Sequence, residues 1–204
     1  MHTIRECTNP TCQFRFPAES DHPIGNVCPK CDGVTVVDQQ FAAQLVPTAV
    51  SDRAKRQVVG VLDNIRSIHN VGACFRTADG AGLTNLYLCG ITATPAHRKV
   101  AKTALGSEQA VAWSHHHNAL HLVERLKKEG YQLWALEGGT QAESLLTSVL
   151  PEGPIAIVVG NEVSGVDPAI LALCDRVVAL PMRGVKASLN VSTAFGIAAY
   201  RLTG

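Results

Sequence analysis

From about residue 45 onward, apolar runs of strand length alternate with amphipathic stretches of helix length, and this alternation confines the chain to an α/β domain with a mainly parallel sheet. Strands are expected at Arg56–Leu62, Asn85–Cys89, Tyr131–Leu136, Ile155–Val159 and Arg176–Leu180. Helices are expected at Val71–Gly80, Ala119–Glu129, Glu143–Val149, Asp167–Cys174 and Val191–Tyr200. The unbroken apolar run Ile155–Val159 fits a central strand buried on both faces. Residues 1–35 differ, being rich in Pro, Cys and polar residues with little periodicity. They read as a separate small module, with 36–48 as the connection and 49–204 as the main domain.

At 204 residues, with 46% hydrophobic and 17% charged residues, the chain can bury one substantial core, so disorder is not expected. No signal peptide and no apolar run long enough for a membrane span is indicated, which points to a cytoplasmic protein without a membrane partner. A formal charge of +1 argues neither for nor against a nucleic-acid partner. Residues 1–40 hold three Lys/Arg against five Asp/Glu, so the N-terminal piece is not a polybasic arm.

Seven cysteines are an odd number, and four of them crowd the start of the chain. Cys7 and Cys12 are spaced Cys-x4-Cys, Cys28 and Cys31 are spaced Cys-x2-Cys, and fifteen residues separate the pairs. Two such turns can bring four thiolates onto one tetrahedral Zn²⁺, and a segment this short has little else to fold around. A structural zinc ribbon is therefore expected, in a reducing compartment, rather than a disulfide framework or four unrelated thiols. A closed set of four cysteines leaves no open position for catalysis by the metal.

In an open α/β sheet, ligands collect where loops leave the carboxyl ends of the strands. Three such loops combine glycine with polar side chains: residues 63–72, 160–165 and 181–190. Gly160–Gly165 lacks the Lys-Ser/Thr of a phosphate-binding loop, and no G-x-G-x-x-G follows the first strand. Kinases, NTPases and ordinary dehydrogenases are thereby set aside. His115, His116 and His117 are consecutive and cannot face one metal from a helix or strand, so they read as a surface loop. His69 and His97 lie in polar stretches with arginine nearby and read as structural. Asn70 is a candidate helix cap, and Arg76, six residues on, needs an anionic partner if it is buried among apolar neighbours.

Taken in order, Asn70-Val-Gly…Arg76-Thr-Ala, Gly160-Asn-Glu-Val-Ser-Gly-Val and Pro181-Met-Arg-Gly…Ser188-Leu-Asn-Val-Ser resemble the three motifs of the SpoU (TrmH-like) family of RNA ribose 2′-O-methyltransferases. The resemblance covers about residues 50–204. It implies a SPOUT-type α/β fold whose C-terminal segment forms a trefoil knot, and a homodimer with the RNA site shared across the interface. It also implies S-adenosyl-L-methionine as cofactor and tRNA or ribosomal RNA as substrate, with a slight lean toward tRNA. Carried over by position, Leu136, Glu137, Gly138, Gly139, Gly160, Leu180, Met182, Ser188, Leu189 and Asn190 would cradle the cofactor. Arg76 would be the central catalytic residue, with Asn70, Glu162, Ser188 and Asn190 holding the reacting geometry, or with Glu162 anchoring Arg76.

The ribbon lies outside the resemblance. Phe14 and Phe16, interleaved with Arg15, could stack on unpaired bases, but the module's net acidity weakens this against a structural or partner-docking role. Two rival readings remain: an RNA-binding protein of the same fold without catalysis, and a zinc-ribbon adaptor for a protein partner. Methylation of a base nitrogen is disfavoured by the Asn70–Arg76 motif.

Overall fold

The computed structural model describes residues 2–19, 23–42, 56–140 and 142–204. The chain divides into two compact units, Met1–Ser51 and Asp52–Gly204.

In the first unit, β1 (His2–Cys7), β2 (Arg15–Glu19) and β3 (Thr35–Phe41) form an antiparallel sheet in the order β2-β1-β3. The expected connection at 36–48 is corrected in part, because 36–41 belong to β3 and pair with β1. The strand escaped sequence reading because Val36 and Val37 are adjacent, which breaks the period of two. It is held by ladder hydrogen bonds rather than by burial, and its last six residues are exposed. Residues 43–48 of that connection lie outside the described residues.

The second unit runs β4 (Val58–Asp63), α1 (Ile68–Ala81), β5 (Asn85–Cys89), α2 (Arg98–Ala104), α3 (Ser107–Ala110), β6 (Ala112–His116), α4 (Ala119–Lys128) and β7 (Gln132–Leu136). It continues with β8 (Glu143–Ser144), β9 (Ile155–Val159), α5 (Pro168–Leu173), β10 (Arg176–Ala179) and α6 (Val191–Thr203). All seven strands are parallel, in the order β6-β5-β4-β9-β7-β10-β8, so the expected parallel α/β sheet is present and β9 lies at its middle.

Alternate residues of the central strands feed two apolar layers, as the pleat requires. Val58, Leu62, Ile155 and Ile157 pack with Phe75, Val100 and Phe195, which places α1, α2 and α6 on one face. Val59, Val61, Ala156 and Val158 pack with Leu122, Leu126 and Ile170, which places α4 and α5 on the other.

Three local expectations are corrected. Glu143–Val149 is not a helix: Glu143–Ser144 pair with β10, and the chain then makes a single turn in which Ser148 N–H and Oγ both bond the Ser144 carbonyl. His115 and His116 are not in a loop but end β6, an edge strand whose Ala-Trp-Ser-His-His sequence carries no apolar alternation. Asn70 does not open α1; Ser67 is the cap, and its side chain accepts the Asn70 N–H.

Candidate active site

At the carboxyl ends of β7, β9 and β10 the structure forms a cavity of about 400 Å³. Nine of the ten residues expected to cradle a cofactor line it: Leu136, Glu137, Gly138, Gly160, Leu180, Met182, Ser188, Leu189 and Asn190. Gly139 is outside the lining and exposed. The rest of the wall comes from stretches within or adjoining the motifs, and it includes Asn161 and Glu162 of the loop after β9. The volume lies in the range of small-molecule sites, and the mixture of apolar side chains with a few convergent polar groups is what such sites present.

The loop after β9 owes its shape to close backbone contact. A Cβ on Gly160 would lie 2.2 Å from the Gly165 carbonyl oxygen, so no larger residue fits there without moving main chain. Asn161 and Gly165 bridge across the loop, and the Asn161 side chain ties it to the β4–α1 connection by donating to the Asn64 carbonyl at 2.8 Å. The Glu137 carboxylate accepts the Val166 N–H at 2.8 Å, which ties the end of β7 to the same loop.

Glu162 joins this loop to α1. Its carboxylate accepts the Arg66 N–H (2.9 Å), the Ser67 N–H (3.1 Å) and the Asn70 amide N–H (2.9 Å). Asn70 Oδ1 in turn accepts from the Asn190 amide at 3.1 Å, and Asn190 Oδ1 caps α6 by accepting the Ser192 and Thr193 N–H groups. One hydrogen-bonded chain, Glu162–Asn70–Asn190–α6, therefore links all three motif loops at the cavity. Partial burial works against ionisation of Glu162, but the donors on Arg66, Asn70 and Ser67 outweigh it and hold the carboxyl below the usual carboxylate range.

Arg76 sits about 9 Å farther along α1 than Asn70, six residues at the helical rise. It is exposed, is outside the cavity lining, and among the described residues has no carboxylate within ion-pair distance. The alternative in which Glu162 anchors Arg76 is thereby corrected, because Glu162 is taken up by Arg66, Ser67 and Asn70. His97 is structural: it caps α2, with Nδ1 accepting the Lys99 N–H.

Separately, in the first unit, the Sγ atoms of Cys7, Cys12, Cys28 and Cys31 lie within 4.8 Å of one another. Cys7 and Cys31 are 3.5 Å apart, and Cys12 and Cys28 are 3.8 Å apart. Four thiolates at the Zn–S distance around one tetrahedral ion would be about 3.8 Å apart, so the set fits that ion with little adjustment. Each turn places the residue after its second cysteine in the left-handed region, Gln13 at φ 48° and Asp32 at φ 56°. A Cβ on Gly33 would come within 3.3 Å of both the Cys7 and Cys31 sulfurs. Burial opposes the Cys28 thiolate, but the Lys30 and Cys31 N–H groups lower its thiol, whereas the neighbouring Cys7 and Cys12 thiols are pushed up, as expected when several thiols share one site without a cation.

Sequence reasoning missed the parts played by Asn161 and Asn64. Asn161 stood in a quoted motif, but its partner is a backbone carbonyl 97 residues away, which no local pattern discloses.

The sequence model of the SpoU rRNA Methylase family matches residues 57–200. A 23S rRNA (guanosine-2′-O-)-methyltransferase RlmB of Xanthomonas axonopodis is 34% identical over 148 residues, 72% of this chain and 59% of the relative. The enzyme of the same name from Coxiella burnetii is 30% identical over 172 residues, 84% of this chain and 66% of the relative. The chain thus spans about six-tenths of the length of these curated relatives. Among solved structures, the A. aeolicus TrmH/SpoU tRNA modifying enzyme superposes with a TM-score of 0.65 at 31% identity, covering 72% of this chain and 75% of that one.

Proposed function

This chain belongs to the SpoU rRNA methylase family, and from that premise we propose that it is an S-adenosylmethionine-dependent RNA methyltransferase acting on a ribose 2′-hydroxyl. The observation that carries this reading is the hydrogen-bonded chain Glu162–Asn70–Asn190, which draws three separate motif loops to one cavity of about 400 Å³. The curated relatives act on 23S rRNA by name and the A. aeolicus enzyme on tRNA, so both RNA classes are candidate substrates.

The cavity suits S-adenosylmethionine. Leu136, Leu180, Met182 and Leu189 offer apolar surface to an adenine, while Ser188, Asn190 and backbone groups supply polar contacts. The lack of a phosphate-binding loop is consistent with a cofactor that carries no phosphate. When bound, it supplies a methyl group on a sulfonium, whose leaving group is already activated.

The remaining difficulty is the nucleophile, and it falls to the chain's own side chains. Asn70 has its amide oriented by Glu162 and Asn190, so its position is fixed before RNA arrives. Asn190 spends one amide N–H on Asn70 and keeps the other for a ligand in the cavity. Arg76 ends in a guanidinium, which offers N–H donors and no acceptor, so it is no base; it donates to the developing alkoxide and orients it, and an RNA phosphate or water takes the proton. Its exposed position outside the cavity lining is consistent with a site shared between two protomers. The groove between α1 and α6, bordered by Ala73, Thr77, Gly196 and the exposed Ile197 and Tyr200, is the face such a homodimer would cover. Threading of the 181–190 segment into a trefoil knot is part of the same reading, as is a cytoplasmic setting; among the described residues no helix is long and apolar enough to cross a membrane.

In the first unit, Cys7, Cys12, Cys28 and Cys31 would hold a structural Zn²⁺ through four sulfurs, leaving no position for a substrate.

The proposal is tested by incubating the protein with methyl-labelled S-adenosylmethionine and total RNA. Labelled RNA is expected from the wild type but not from Arg76→Ala, with calorimetric cofactor binding retained in both. Absence of cofactor binding in the wild type would refute it.

A further inference from the structure

The carboxyl edge of the sheet carries a second polar feature that the proposed reaction does not use. At the end of β6, His115, His116 and His117 run into Asn118, whose side chain caps α4. His121 and Arg125 stand on one face of α4, four residues apart. Together with Leu122, these six residues surround a shallow hollow of about 360 Å³ with no carboxylate in its lining.

The rings are held in place rather than loose. His115 Nε2 is 3.0 Å from the Gly90 carbonyl and so carries the proton in that bond. His116 Nε2 bonds Ser114 Oγ at 2.9 Å, and its ring meets Tyr87 edge-on at 5.6 Å. The His115 and His117 rings meet edge to face at 5.3 Å. Among the described residues, the ion-pair partner of Arg125 is Glu129 on its own helix, at 3.7 Å with both side chains about half exposed, a pair worth little in water. Burial, Arg125 and His115 together disfavour the protonated form of His116, and the Arg125 guanidinium with no carboxylate in the lining makes the hollow cationic while that imidazole is neutral. A metal fits poorly: among the described residues, only the four-cysteine set brings three or more ligand atoms close enough for one ion.

We propose that this hollow is a phosphate-binding subsite for the RNA backbone, engaging the substrate strand away from the reacting ribose. The inference rests on the reading of the chain as an RNA methyltransferase. In a parallel sheet all carboxyl ends lie on one edge, and β6 is three places from β9, so the hollow lies about 14 Å along that edge from the cavity's central strand. A strand of a few nucleotides covers that distance, and contacts to its phosphates position it without reading sequence.

The groups around His116 fix the sign of the pH effect. Tyr87 faces it from β5, His115 and His117 from its own strand end, and His121 and Arg125 from α4. Glu124 and Glu129 of α4 do not line the hollow, and Glu108 of α3 lies toward the opposite, amino end of β6. Burial, Arg125 and His115 hold His116 below the ordinary imidazole range, so it gains its charge on acidification below about pH 6.5, and RNA affinity should rise as pH falls through that region.

The test uses the full chain and a fluorescein-labelled, mixed-sequence RNA oligonucleotide read by anisotropy, comparing wild type with H116Q/H117Q/H121Q and, separately, with the exposed charge reversal Arg125→Glu. Both variants should lose about tenfold in RNA affinity near pH 6, with a salt dependence shallower by about one phosphate contact, and the histidine variant should also flatten the pH profile, while calorimetric cofactor binding is unchanged in both. Unaltered RNA affinity and salt slope in both variants would overturn the subsite. So would binding of inorganic phosphate at the hollow with no effect on RNA. Failure of the parent reading is distinguishable, since the wild type would then transfer no methyl group to any RNA.

Discussion

At the scale of single residues, Glu162 acts through what it holds. With its carboxyl below the ordinary range, its bonds to Arg66, Ser67 and Asn70 are at full strength above about pH 4.5 and are lost as pH falls through the lower folded-state value. Glu162→Gln places an amide against these N–H donors. The stability difference between wild type and this variant, followed by thermal unfolding, should be constant at neutral pH and shrink as pH falls below about 4.5; a difference that grows on acidification would contradict this role. Arg76→Lys keeps a charge but loses the planar fork, and is expected to cut methyl transfer about a hundredfold while cofactor affinity holds. The residues of this site were legible because polar side chains and glycine recur where strands of an α/β sheet end. Their connections were not: Asn70, Asn190 and Glu162 are separated by 92 and 120 residues, and only the folded chain shows which amide meets which oxygen.

Among the elements, α6 begins at Asn190, which serves both as cap and as link to Asn70. Asn190→Ala should lower stability by about 0.5–2 kcal/mol through the lost cap and weaken cofactor binding besides, whereas Asn190→Asp, which can still cap, should restore most of the stability but not the amide donated to Asn70. Gly160→Ala forces main chain apart within the loop after β9, and loss of calorimetric cofactor binding in a folded variant is its expected signature. The central elements were readable from sequence because burial on both faces leaves an unbroken apolar run, as in β9. Edge elements were not: β6, β8 and β3 are stabilised by pairing to a neighbour and carry polar or irregular sequences. Helix α2 went unread because its seven residues hold only Val100 and Ala104 in the core, too few to set a period.

For the whole molecule, a four-sulfur set within 4.8 Å predicts one tightly held zinc per chain when the protein is purified under reducing conditions, and Cys28→Ser should lower that content measurably by native mass spectrometry. A protein that retains its fold in the first unit after exhaustive chelation would show that the thiols need no metal. The catalytic claim concerns the second unit and rests on the convergence of its motif loops. It is tested most directly by where the methyl group lands. RNA labelled by the protein should be hydrolysed with alkali, which cleaves only beside a free 2′-hydroxyl. Label recovered in alkali-resistant dinucleotides, and absent after Arg76→Ala, is the predicted result; label recovered in mononucleotides would place the methyl group on a base and contradict the account.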